Sequence, residues 1–160
     1  KIVDEDCDFL NEKCDYWVDP ETMTEDCYPI VFYDNATVKN GKFKAGGKDY
    51  TFPFELPLFG QTITITLYFA RIEADVIVEN GTIKEMDGVL AGALRKDELI
   101  NAIELIPDEE IPVSKDLIIT ILQTAIQTDI DTDNDGTKDA ASMGLKFHAI
   151  EGHIVGLKPE

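Results

Sequence analysis

From Gln61 to Glu79 the chain alternates apolar with polar residues, and no other stretch limits its fold so tightly. Ile63, Ile65, Leu67 and Phe69 fall on one face, with Thr62, Thr64, Thr66 and Tyr68 on the other. The pattern continues with Ile72, Ala74, Val76 and Val78 against Arg71, Glu73 and Asp75. A period of two sends successive side chains to opposite faces of a strand, so this region reads as half-buried antiparallel sheet. Near the C-terminus Met143, Leu145, Phe147 and Ala149 are expected to face inward, with Lys146 and His148 outward, before a short strand from Ile154 to Leu157.

Two similar segments, Val38-Lys-Asn-Gly-Lys-Phe43 and Val78-Glu-Asn-Gly-Thr-Ile83, each set Asn-Gly between apolar residues. Both central positions of a tight hairpin turn need positive φ, which Asn and Gly tolerate best, so two hairpins are expected. Asn35-Ala-Thr37 and Asn80-Gly-Thr82 also match the glycosylation acceptor pattern. Two helices interrupt the strands, one at about 97–106 and stopped by Pro107, the other at about 114–127 with Ser114 as N-cap. Leu99, Ala102, Ile103 and Ile106 form the buried stripe of the first. Leu117, Ile118, Ile121, Leu122 and Ala125 form that of the second. The expected fold is therefore mainly β with two helices, an antiparallel β-sandwich or barrel of about seven to nine strands. An acidic, cysteine-containing arm (1–30) precedes a β-rich domain (31–160).

The link from the second helix to the next strand carries five carboxylates in eleven residues, Asp129-Ile-Asp-Thr-Asp-Asn-Asp-Gly-Thr-Lys-Asp139. Counted from Asp131 it follows the first nine positions of an EF-hand-type calcium loop. Asp131, Asp133 and Asp135 supply carboxylates, Gly136 the sharp turn, Thr137 a carbonyl, and Asp139 a ligand often reached through water. Position 12 is Ser142 where an EF-hand has a bidentate Glu, so the last ligand is weak or borrowed, and Asp129 either replaces it or starts a second, overlapping site. All-oxygen ligands select a hard cation, and Ca²⁺ is the cofactor expected. The setting is helix-to-strand, unlike the helix–loop–helix of an EF-hand.

With 160 residues, 14 basic and 32 acidic, the chain carries a formal charge of −18. That balance argues against nucleic acid and anionic membranes as partners, and no run is long and apolar enough to span a bilayer. The first residue is Lys1, not Met, and no signal segment opens the sequence, which leaves export open. Cys7, Cys14 and Cys27 match no zinc spacing and sit in a segment with ten Asp or Glu. One disulfide within this arm is expected, with the third cysteine free or linked to another chain. Tyr16 and Trp17 serve either to anchor a partner or to dock the arm on its own sheet.

Little else carries chemistry. His148-Ala-Ile-Glu151-Gly-His153 fits neither zinc motif that depends on helical spacing. There is no nucleophile elbow, phosphate loop or Cys–His arrangement, so an enzyme is not expected. Gly88-Val-Leu-Ala-Gly92 permits close backbone approach, and packing is the simplest reason for it.

The run from about Phe54 to Gly156 resembles a family of exported envelope proteins of myxobacteria and their relatives. The residues that carry the resemblance are Leu56-Pro-Leu-Phe-Gly60, Gly88-Val-Leu-Ala-Gly-Ala93, Lys96-Asp-Glu-Leu99, the acidic loop to Ala140, Gly144-Leu-Lys-Phe147 and Ile154-Val-Gly156. It implies export and a calcium-type loop, and no established activity. The loop alone is similar to those of thrombospondin type 3 and dockerin repeats. The functional expectation is a secreted or surface-exposed calcium-binding structural protein, a subunit of an extracellular assembly or filament or an adhesion module. Its partners would be further copies of itself or another surface protein. The alternative is a barrel-type carrier of a lipid or other apolar ligand.

Overall fold

The computed structural model describes residues 2–58 and 60–159. Its strands are β1 (Asp15–Val18), β2 (Thr37–Lys39), β3 (Lys42–Gly46), β4 (Thr51–Leu58), β5 (Gln61–Glu79) and β6 (Thr82–Arg95). Helices α1 (Lys96–Glu104) and α2 (Lys115–Ala125) follow, then β7 (Ala140–Ile150) and β8 (His153–Leu157). The chain is thus mainly β with two helices. The barrel alternative falls, because the path β2-β3-β5-β6-β7, with β4 also on β5, is an open, sandwich-like sheet. One strand pair departs from the expected antiparallel pairing: β1 lies parallel to β8 in a separate two-stranded sheet.

Both Asn-Gly pairs form two-residue turns, β2 to β3 and β5 to β6. Asn40 and Gly41 have φ of 52° and 73°, Asn80 and Gly81 of 52° and 82°, the double positive φ that matches strand twist in a tight hairpin. The alternation of β5 hides a change of phase. Ile63, Ile65 and Leu67 are buried at odd positions, then Ala70 and Ala74 at even ones. Phe69, expected inward, absorbs the extra residue as a bulge with φ of 54° and is half-buried. Beside it, Gly46 has φ of 86°, and a Cβ there would lie 2.1 Å from the Ala70 carbonyl oxygen. Only glycine fits both demands.

Two compact units divide the chain. Gly46–Arg71 and Leu90–Leu145 form one, with Ile63 and Ile65 of β5 packed against Leu99, Ile103, Ile106 and Ile111. Helix α1 buries the expected residues, Leu99 and Ile103. The stripe of α2 needs correction: Ile118, Ile119 and Leu122 face the core, while Leu117 and Ile121 are 53% and 55% exposed. The apolar arc of α2 is wider than the surface it lies on. Ser114 occupies the N-cap position without a side-chain hydrogen bond. Two lysines secure the opposite ends instead. Lys96, first in α1, donates to the Gln123 and Ile126 carbonyls at the end of α2. Lys115, first in α2, donates to the Glu104 carbonyl at the end of α1. Each thereby satisfies carbonyls that lack helical partners and complements a negative helix end.

On β4, the Tyr50 carbonyl that precedes the strand accepts from the Ala70 N–H of β5, so even-numbered residues face β5 in hydrogen bonding. Pro53 and Pro57 are therefore odd-numbered and turn their missing N–H to the outer edge, the place a sheet tolerates proline.

The second unit holds Lys1–Ala45, Ile72–Val89 and Lys146–Glu160. Its arm is docked. A carbon added at Gly152 would sit 2.8 Å from the Tyr16 ring, and one at Gly156 3.5 Å from the Trp17 ring, so both aromatics lie over glycines of the C-terminal segment. Cys7 and Cys14 form the arm's disulfide, and Cys27 is free and exposed. Gly88 approaches β5 closely, since its added carbon would lie 2.5 Å from the Glu73 carbonyl oxygen. That is packing between neighbouring strands. Leu145, expected inward, is 37% exposed.

Candidate metal centre

The acidic loop is closed at its base by a bridge between Ile130 and Ala140, with Ile130 N–H donating to the Ala140 carbonyl at 3.0 Å. It leaves α2 and enters β7, the helix-to-strand setting expected from the sequence. Within it, carboxylate oxygens of Asp131, Asp133 and Asp135 all lie within 4.8 Å of one another. At that spacing each pair of like charges costs about 1 kcal/mol even in bulk water. Backbone amides offset part of this. Asp131 accepts from Asn134 N–H at 2.8 Å and Gly136 N–H at 2.9 Å. Asp133 accepts from Asp135 N–H at 3.2 Å, and Asp135 from Thr137 N–H at 2.6 Å. Asn134 (φ 61°) and Gly136 (φ 91°) adopt the left-handed conformation that folds the loop this tightly.

The other two carboxylates named from the sequence stand apart from this group. Asp139 accepts from the Thr132 hydroxyl and from its N–H at 2.8 Å, and faces Arg95 Nε at 3.2 Å. The Thr132 hydroxyl, then its amide, hold the Asp139 carboxyl below its ordinary range, with a smaller contribution from Arg95. Asp129 accepts from the Ser142 hydroxyl at 2.6 Å and N–H at 2.7 Å, which lower its pKa in that order. Ser142, at the twelfth loop position, is thus turned to Asp129. The three central aspartates are the carboxylates the loop brings together, with Thr137 next in the chain.

A polar cluster that sequence reasoning missed adjoins the loop's C-terminal end. The Arg95 guanidinium lies 5.7 Å from the centre of the Tyr68 ring and pairs with Asp97 as well as Asp139. Tyr68 donates its hydroxyl to Glu98, and that bond, with some burial, raises its pKa. Tyr68 reads from the sequence as one polar position of an alternating strand, and only the fold brings these residues together.

His148, Glu151 and His153 are dispersed. His148 contacts Asp87 at 2.9 Å and His153 contacts Asp15 at 3.0 Å. Glu151 lies between Lys13 and Lys84, whose hydrogen bonds push its pKa down, Lys13 first. The larger surface depressions are open grooves with charged rims, one lined by Lys42, Lys44, Glu73, Asp75, Asp87 and Lys146. Among the described residues no helix is long and apolar enough to cross a membrane. No protein family, curated protein or solved structure matches the chain.

Proposed function

We propose that the chain is a calcium-binding structural domain that works outside the cytoplasm, as a subunit of an extracellular assembly or an adhesion module. The observation that carries this reading is the convergence of Asp131, Asp133 and Asp135 in one amide-lined loop. The group offers a hard cation only oxygen ligands, and the ion relieves their mutual repulsion. With Asp129 and Asp139 engaged elsewhere, the protein supplies few ligands and water completes the shell. The affinity expected is that of extracellular modules, roughly 10⁻⁴ to 10⁻³ M. A disulfide in the arm and a charge of −18 both suit an oxidising, calcium-rich medium.

Calcium at ten times its dissociation constant stabilises the fold by about 1.4 kcal/mol, which raises the melting midpoint by a few degrees. Chelation reverses the shift. Asp131→Asn, Asp133→Asn and Asp135→Asn each remove most of it, whereas Asp129→Asn leaves it largely in place. A midpoint indifferent to calcium and chelator in the unaltered protein overturns the reading. For assembly, the measurement is mass by light scattering with and without calcium, beside non-reducing gels.

A further inference from the structure

We infer that the N-terminal arm is a redox-latched strap over the C-terminal strand: the Cys7–Cys14 disulfide holds β1 in register on β8, and a dithiol that reduces it releases both segments. A two-stranded ladder is marginal in water unless something staples it. Here the ladder runs only from Asp15 opposite His153 to Val18 opposite Leu157. The arm brings almost no core of its own, since Phe9 and Leu10 are 54% and 65% exposed. Its ten carboxylates in 27 residues repel one another. Cys14 is the exception, at 1% exposure the arm's one fully buried hydrophobic side chain among the described residues.

The disulfide stands where the strap meets the strand. The Cys14 carbonyl accepts from His153 N–H at 2.9 Å, at the first rung of the ladder. The neighbours on either side, Lys13 and Asp15, contact Glu151 and His153. At the far end Lys158 N–H donates to Val18. On the other side of β1, Val3 N–H donates to Asp15 and Ile2 bridges to Tyr16. The loop closed between Cys7 and Cys14 thus brings a third extended segment onto β1. Opening it removes the covalent constraint that keeps these short pairings together.

Half-buried Cys7 is the more accessible sulfur. One thiolate of the dithiol bonds to Cys7 Sγ, the bond to Cys14 breaks, and Cys14 leaves as a thiolate that takes a proton. The second thiol then closes on the first, so that the reagent leaves as a cyclic disulfide and Cys7 as a thiol.

The test is hydrogen exchange read by mass spectrometry on a Cys27→Ser background, with and without dithiothreitol. Reduction is expected to speed exchange at His153 to Lys158 and at Val3 by at least about tenfold, with α1 amides unchanged. Cys7→Ser in the same background should reproduce the fast pattern without reductant. Unchanged exchange at His153 to Lys158 in protein whose mass proves the bond reduced would overturn the latch. So would acceleration spread equally over α1, which means general unfolding.

Discussion

Gly46 shows how much one residue can decide. Its φ of 86° and the nearby Ala70 carbonyl exclude a side chain on two independent grounds. Gly46→Ala is expected to cost roughly 2 kcal/mol or more, through a left-handed alanine and a displaced strand. Gly47→Ala meets nothing within 4 Å and isolates the backbone contribution at its own φ of 138°. Chemical denaturation of the pair measures the difference. At the same scale the tight fold of the acidic loop was readable because its pattern is local: carboxylates at alternate positions and a glycine where the backbone turns left-handed. What could not be read was the competition for Asp129 and Asp139. Both carboxylates are claimed by hydroxyls and amides whose positions the fold sets.

Among the elements, the two hairpins were the most legible, since a turn that demands two positive φ angles leaves few residues to choose from. The helices were legible in place, but only half so in orientation. Periodicity gives the width of an apolar arc, not the width of the surface that receives it, so Leu117 and Ile121 were assigned to a core they do not enter. The bulge at Phe69 escaped because both halves of β5 alternate correctly by themselves. The crossed caps were equally invisible, since a lysine opening one helix gives no sign of where the other ends. Lys96→Met and Lys115→Met should each destabilise by about 0.5–1.5 kcal/mol, in the range of a lost charge-assisted cap. Their urea midpoints test this, with Lys48→Met as an exposed control on the same unit.

For the whole chain, electrostatics sets the behaviour. Glu151 between Lys13 and Lys84 has its pKa lowered on folding. Its contribution to stability is therefore complete above the ordinary carboxylate pKa and lost as pH falls through the lower, folded value. Thermal melts across the acid range should show the arm loosening there, with a smaller slope in Glu151→Gln. A formal charge of −18 opposes any compact state, so added sodium chloride should raise the melting midpoint even without calcium. The pairing of β1 with β8 was the least foreseeable feature, since it joins Asp15 to a residue 138 positions away. No local pattern records such a choice.

That pairing also has a direction. Because β1 and β8 run parallel, a pull on the two ends of the domain drags the strands past each other lengthwise. All their hydrogen bonds then share the load and fail together, whereas an antiparallel terminal pair would peel open one bond at a time. The disulfide passes tension from the residues before Cys7 straight to Cys14, at the head of β1. A domain built this way resists traction, and does so for as long as its single covalent clasp stays closed.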